Sequence, residues 1–146
     1  MARYRRVNID GDSLFKTETR KTAAALYPGT FIVINGSKLF AQATTPVGRM
    51  YVLDNAYHEG LGITDQIPSG HSAIGNYLEE GREFAVRVAA GTYVKDQPIT
   101  VVAGLAAAVP ATAGTYKVIG YCQDAVVTTA VDFIRIRVRA DSVTVS

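Results

Sequence analysis

Cysteine is nearly missing from this sequence: Cys122 is the only one in 146 residues, so no disulfide can form within the chain. It sits in the apolar stretch Val118 to Val127, where a reduced, buried, small hydrophobe is the ordinary expectation, and assembly in a reducing cytoplasm is the corresponding compartment. Tryptophan is absent, which removes the broadest aromatic face that sugar-binding sites exploit and leaves eight tyrosines as substitutes. No run approaches the roughly 18–20 consecutive apolar residues of a membrane helix. The opening MARYRRVNIDGD is charged but has no hydrophobic region after it, so no secretory signal is expected and the chain reads as soluble. Charge of one sign is also scarce, since fifteen Lys and Arg against thirteen Asp and Glu leave only +2.

What is present is enough for one domain, with 48% apolar and 19% charged residues, a balance that fits a packed core and not a disordered polyelectrolyte. The charges are unevenly placed. Residues 1–21 hold six cations (Arg3, Arg5, Arg6, Lys16, Arg20 and Lys21) against the three anions Asp10, Asp12 and Glu18, whereas the remainder has nine cations against ten anions. The whole positive excess therefore belongs to the start of the chain, which reads as an extended basic N-terminal arm over 1–26 followed by a β domain over 27–146. Arginines beside Tyr4 have the chemistry to touch phosphate and stack on a base. A slightly acidic remainder with no broad basic surface argues against a nucleic-acid partner and for an arm that docks on protein.

Thirteen glycines and five prolines divide the chain into segments of about four to eight residues bounded by turn signals, the spacing of an all-β fold. Phe31–Phe40 (FIVINGSKLF) predicts a hairpin closed by a two-residue turn at Asn35-Gly36, pairing Ile34 with Ser37 and Val33 with Lys38. Tyr27-Pro28-Gly29 predicts a tight turn before it. Further strands are expected at Met50–Leu53, Phe84–Val88, Ile99–Val102, Val118–Cys122 and Phe133–Val138, with Val143 and Val145 alternating at the end. Helical evidence is thin: residues 13–26 allow one or two amphipathic turns, and the alanine-rich 103–113, broken by Gly104 and Pro110, reads as a hairpin of small residues. Residues 54–73 read as a long ordered loop, a kind that tends to make contacts or carry function. The expected architecture is a compact β-sandwich or β-barrel-like domain.

Chemistry-bearing constellations are weak. His58 and His71 lie thirteen residues apart, and Glu59 or Asp65 completes a metal set only if the loop folds back, so no metal or cofactor is expected. Glu79, Glu80 and Glu83 around Gly81 read as a solvated acidic turn that partners arginines, because nothing nearby supplies the desolvation that an acid and base pair needs. Cys122 lies inside a strand with no nucleophile signature, and Gly60-Leu-Gly62 is too short to cradle a phosphate. No enzymatic activity is expected. The segment Phe133-Ile-Arg-Ile-Arg-Val-Arg139 is more informative: Ile134, Ile136 and Val138 point inward, leaving Arg135, Arg137 and Arg139 as a stripe of like charges about 7 Å apart. Either water covers that stripe or Glu79, Glu80 and Glu83, from this chain or a neighbouring copy, pair with it as a subunit interface. The two-sided apolar hairpin at Phe31–Phe40 also asks for cover that association would supply.

Tyr51–Tyr57 (YVLDNAY), His71–Val88 (HSAIGNYLEEGREFAVRV), Ala89–Thr100 (AAGTYVKDQPIT), Tyr116–Tyr121 (YKVIGY) and the closing FIRIRVR strand resemble head decoration, or cement, proteins of tailed bacteriophages, over roughly residues 27–140. The resemblance implies a structural virion protein with no catalytic residues. Such proteins bind the outer surface of the mature capsid, often as homotrimers, clamp the major capsid protein and resist internal genome pressure. Their arms commonly order on contact with the shell, a role that would suit Arg3, Tyr4, Arg5, Arg6, Lys16, Arg20 and Lys21. A different class stays open: a β-sandwich adhesion or carbohydrate-binding module of a phage fibre, using the 54–73 loop.

Overall fold

Turn residues cut the sequence into pieces too short for stable helices, and β-branched and aromatic residues fill the pieces, so backbone hydrogen bonds have to be made between strands. The computed structural model, which describes residues 17–146, has this all-β organisation. Its strands are β1 (Thr17–Lys21), β2 (Phe31–Ile34), β3 (Phe40–Gln42), β4 (Tyr51–Leu53), β5 (Ser72–Tyr77), β6 (Glu83–Val88), β7 (Gly91–Tyr93), β8 (Pro98–Val102), β9 (Leu105–Ala108), β10 (Gly114–Cys122), β11 (Val126–Thr128) and β12 (Asp132–Val145). A short 3-10 turn spans Tyr57–Glu59.

Two larger assemblies result. β1, β5, β4, β2 and β3 lie side by side in that order. A Thr22–Phe40 bridge and an Ala23 N–H bond to the Phe40 carbonyl at 2.9 Å then bring the end of β1 back to β3, so this sheet curls toward closure. β10, β12, β6, β9 and β8 form a closed barrel. Its seams are antiparallel except β6–β9, which is parallel and rests on one pair, Val88 with Ala106. β7 and β11 form a separate two-stranded ribbon. The long strand β12 pairs with β10 on one side and β6 on the other, burying Ile134, Ile136 and Val138 and turning its arginines to solvent.

The core has two parts, one on each face of the curled sheet. Phe31, Met50 and Val52 join the barrel interior of Val86, Val88, Ile99, Ile134 and Ile136. On the other face Ile32, Phe40, Leu53 and Ala73 are covered by Leu26, Ala56 and Ile67. Ile67 and Leu26 exchange backbone bonds of 2.7 and 3.0 Å, which pin the 54–73 loop over the sheet. Burying each of the Val, Leu, Ile, Phe and Met side chains among these stabilises the fold by about 1.5–3 kcal/mol. The apolar hairpin therefore finds its cover within the chain, and the expectation that association supplies it is corrected.

Three local expectations also change. The segment around 13–26 is not helical where described: Thr17–Lys21 pairs with β5 from Thr17–Asn76 to Lys21–Ser72, so the part of the presumed arm from residue 17 onward belongs to the body. In the first hairpin Ile34 pairs with Phe40 and Val33 with Ala41, three residues later than a two-residue turn at Asn35-Gly36 gives. The Asn35 side chain accepts from Ser37 and Leu39 N–H groups at 3.0 Å, and Lys38 takes the left-handed conformation, so a five-residue loop wins over the tight turn. The two-residue turn occurs instead at Ala103-Gly104, where φ is 49° and 78° and Val102 pairs with Leu105, so the alanine-rich 103–113 is not a hairpin of its own: it supplies the turn and one strand, β9, of a hairpin whose other strand is β8. Pro28-Gly29 turns as expected, with φ of 81° at Gly29 and Thr30 N–H reaching Tyr27 O at 3.3 Å.

Candidate functional site

The arginine stripe forms because period-two alternation along β12 leaves residues 135, 137 and 139 outside the barrel. Register places Arg137 opposite Glu83, and Arg137 Nη2 donates to Glu83 Oε1 at 2.6 Å. That hydrogen bond, with the charges of Arg137 and Arg135, holds the Glu83 carboxyl below the usual carboxylate range. Arg135 Nε lies 3.9 Å from Asp124 Oδ1, while Asp124 Oδ2 accepts the Arg135 backbone N–H at 2.8 Å. Two of the three cations thus have partners in their own chain. Glu79 shapes the β5–β6 turn, its N–H bonding Tyr77 O and its carbonyl accepting from Arg82 N–H. Glu80 stands exposed at the same turn.

Arg137 and Arg139 line a polar cleft of about 600 Å³ together with Glu80, Gly81, Lys95, Asp96 and Asp141. Tyr121 lines it as well, its hydroxyl donating to Asp141 Oδ2 at 2.7 Å. This bond raises the Tyr121 phenol and, with the Ser142 N–H, lowers the Asp141 carboxyl. Sequence reading missed the Tyr121–Asp141 pair, which links β10 and β12 beside the register shift at Val118–Gly120.

Of the presumed arm residues, Arg3, Tyr4, Arg5, Arg6 and Lys16 lie outside the described residues, and Lys21 is exposed on β1. Arg20 is committed internally: Nη2 donates to Glu18 Oε1 at 2.5 Å and Nη1 to Lys38 O at 3.2 Å. Tyr51 donates to Glu18 Oε2 at 2.6 Å. Bonds from Tyr51 and Arg20 lower the Glu18 carboxyl, while partial burial and the carboxylate push the Tyr51 phenol up to about 12. Together with the edge contact of Tyr51 on Tyr77, at 5.5 Å between centroids, these groups tie β1 to the sheet.

In the long loop the 3-10 turn ends at a left-handed Gly60, leaving Tyr57 62% exposed and edge-on to His58 at 6.0 Å. His71 Nδ1 lies 3.1 Å from both Glu59 oxygens, and His58 Nε2 lies 3.1 Å from the Ser72 carbonyl. Among the described residues no three His, Cys, Asp or Glu side chains converge as metal ligands. Cys122 is buried; its thiol donates to Asp124 O at 3.2 Å, and burial pushes its titration up, away from the thiolate that nucleophilic chemistry requires. No helix among the described residues is long and apolar enough to cross a membrane.

A second groove, of about 400 Å³, runs between β7 and the β8–β9 hairpin, lined by Thr92, Val102, Leu105 and the alanines of β9. The sequence signal was the alanine-rich hairpin itself, whose side chains are too short to fill the space beside β7. The fold and its surface define a small, doubly packed β domain with charged and uncharged clefts. No protein-family model matches the chain, and no curated protein is significantly similar to it.

Proposed function

We propose that this chain is a tailed-bacteriophage head decoration protein, a virion structural component that binds the outer surface of the capsid and clamps adjacent copies of the major capsid protein. The observation that carries the reading is the packing: both faces of one sheet are covered within the chain and the second sheet closes on itself. That construction supports a stiff body whose external surface is free for contacts. The sequence resemblance supplies the identity of the lattice. Weak contacts made by several copies on a repeating shell add to high avidity, so no single deep site is needed. The reading includes association of copies, as a trimer, and assembly in the host cytoplasm. It assigns no catalysis. Purified protein added to undecorated capsids is expected to appear as ordered extra density by cryo-electron microscopy; bare capsids at saturating protein would refute it.

The exposed Tyr57, held edge-on to His58 on a pinned loop, favours one second reading, a carbohydrate-binding module of a phage fibre. Glycan-array binding that is lost in Tyr57→Ala would place that reading first.

A further inference from the structure

We infer that the polar cleft lined by the β5–β6 turn, the β7–β8 turn, β10 and β12 binds a neutral, hydroxyl-rich ligand, an oligosaccharide. The assignment goes beyond the decoration reading, does not depend on it, and uses a different surface from the Tyr57 loop. Backbone bonds seat both lining turns on the barrel. Gly81 N–H donates to Val138 O at 2.9 Å and Val138 N–H to Arg82 O at 2.8 Å, which holds the β5–β6 turn on β12. Asp96 N–H donates to Cys122 O at 2.7 Å and Cys122 N–H to Gln97 O at 2.9 Å, which holds the β7–β8 turn on β10. A site on fixed supports loses little conformational freedom when a ligand settles in it. Its volume of about 600 Å³ falls within the roughly 300–1,000 Å³ of small-ligand clefts.

Charge selects the ligand class. Lys95, Arg137 and Arg139 line the cleft against Glu80, Asp96 and Asp141, so the formal charges cancel. Opposite signs are also interleaved: Lys95 precedes Asp96, and Arg139 and Asp141 are separated by one residue of β12. An anion therefore meets three carboxylates, a cation meets three cations, and a zwitterion finds no separate poles. An apolar ligand would strip water from all six without replacing its hydrogen bonds. A sugar hydroxyl both donates and accepts, so neighbouring hydroxyls serve a carboxylate and a cation together.

Bonding capacity is left for such a ligand. Arg137 is engaged by Glu83, Asp141 accepts from Tyr121, and the Gln123 side chain donates to Tyr121 O at 3.1 Å. The side chains of Glu80, Lys95 and Asp96 make no hydrogen bond or ion pair among the described residues. These three, with Arg139, are the groups that hold the hydroxyls. Tyr121, half-buried and fixed through its hydroxyl, supplies the aromatic surface on which the C–H groups of a sugar ring pack.

The test is a glycan array of neutral and acidic glycans probed with the full chain, followed by NMR titration of the chain with the tightest neutral glycan. Neutral glycans are expected to bind, and the amides of 80–81, 95–97 and 121–123 to shift. Lys95→Ala and Asp96→Asn should each weaken binding at least about tenfold, and Tyr57→Ala should leave it unchanged. Asn tolerates the left-handed backbone of Asp96, where φ is 65°, so Asp96→Asn should melt with the parent. The shifts in the unaltered chain decide the site even where a variant folds poorly. An array without a neutral hit, a preference for acidic glycans, or shifts gathered at Tyr57–Glu59 overturns the inference. Binding that Tyr57→Ala abolishes and Asp96→Asn leaves intact also overturns it and gives the glycan to the long loop. Capsid decoration by a protein that binds no glycan removes the inference and keeps the decoration reading. Glycan binding at the cleft of a protein that never binds capsids does the reverse.

Discussion

Replacing Gly120 by alanine places a methyl group 2.4 Å from the Arg137 carbonyl oxygen, 3.1 Å from its carbonyl carbon and 3.2 Å from Val138 Cα. These are backbone atoms of β12, which β10 and β6 hold from both sides, so no side-chain rotation relieves the contact. Overpacking typically costs about 1–3 kcal/mol, and an immovable neighbour puts this site at the upper end. The restricted unfolded chain of alanine returns about 0.4–1 kcal/mol. The net loss is about 2 kcal/mol, which for a domain of this size lowers Tm by roughly 8 °C. The assay is thermal and urea unfolding followed by circular dichroism, with Gly36→Ala as the control. A Cβ at Gly36 meets nothing within 4 Å, so that variant should lie within about 0.5 kcal/mol of the parent. If Gly120→Ala melts within about 2 °C of the parent, β10 and β12 do not approach closely enough at Gly120 to exclude a methyl group.

Other tests address the ionisable groups and the core. Folded Tyr51 keeps its proton to about 12 against an ordinary 10.0, so the folded state holds more protons in that window and stability should fall as pH rises through it. Tyr51→Phe should flatten that alkaline fall and cost about 1 kcal/mol at neutral pH from the lost hydrogen bond. Glu18 behaves oppositely: its lowered folded value gives a contribution that is full above its ordinary 4.5 and disappears as pH drops through the folded value, so Glu18→Gln should make acid unfolding less steep. Cys122 should react with a thiol reagent only after unfolding, and stoichiometric labelling of the native protein within minutes would contradict its burial. Phe31→Ala, at a fully buried position, should lose about 3–5 kcal/mol in urea titrations.

Strands with a strict period were legible in the sequence. Ile134, Ile136 and Val138 face the core with Arg135, Arg137 and Arg139 outside because alternation is a property of the single strand. Turn geometry was legible only where one residue decides it: Pro28-Gly29 formed as expected, whereas Asn35-Gly36 gave way because the Asn35 side chain caps a longer loop. β1 was hidden because Thr17–Lys21 is polar along its length and owes its place to pairing with β5 and to the Glu18–Tyr51 bond. The sites divided in the same way. Glu83 and Arg137, both singled out from sequence, meet across one register pair, but the groove beside β9 depends on what distant segments leave uncovered, which no local pattern encodes.

The double pairing of β12 sets an order of events during synthesis. β6 is translated early, yet its antiparallel neighbour is Asp132–Arg137, some fifty residues later, and the same strand must also meet β10. A ribosome moving at about 5–20 residues per second exposes β6 for several seconds before that partner emerges. During the delay Phe84, Val86 and Val88 have only incomplete cover, and the one parallel pair to β9 offers little to hold them. The barrel can therefore close only near the end of translation, and slow elongation through residues 89–131 should increase aggregation of nascent chains more than the same slowing after residue 138.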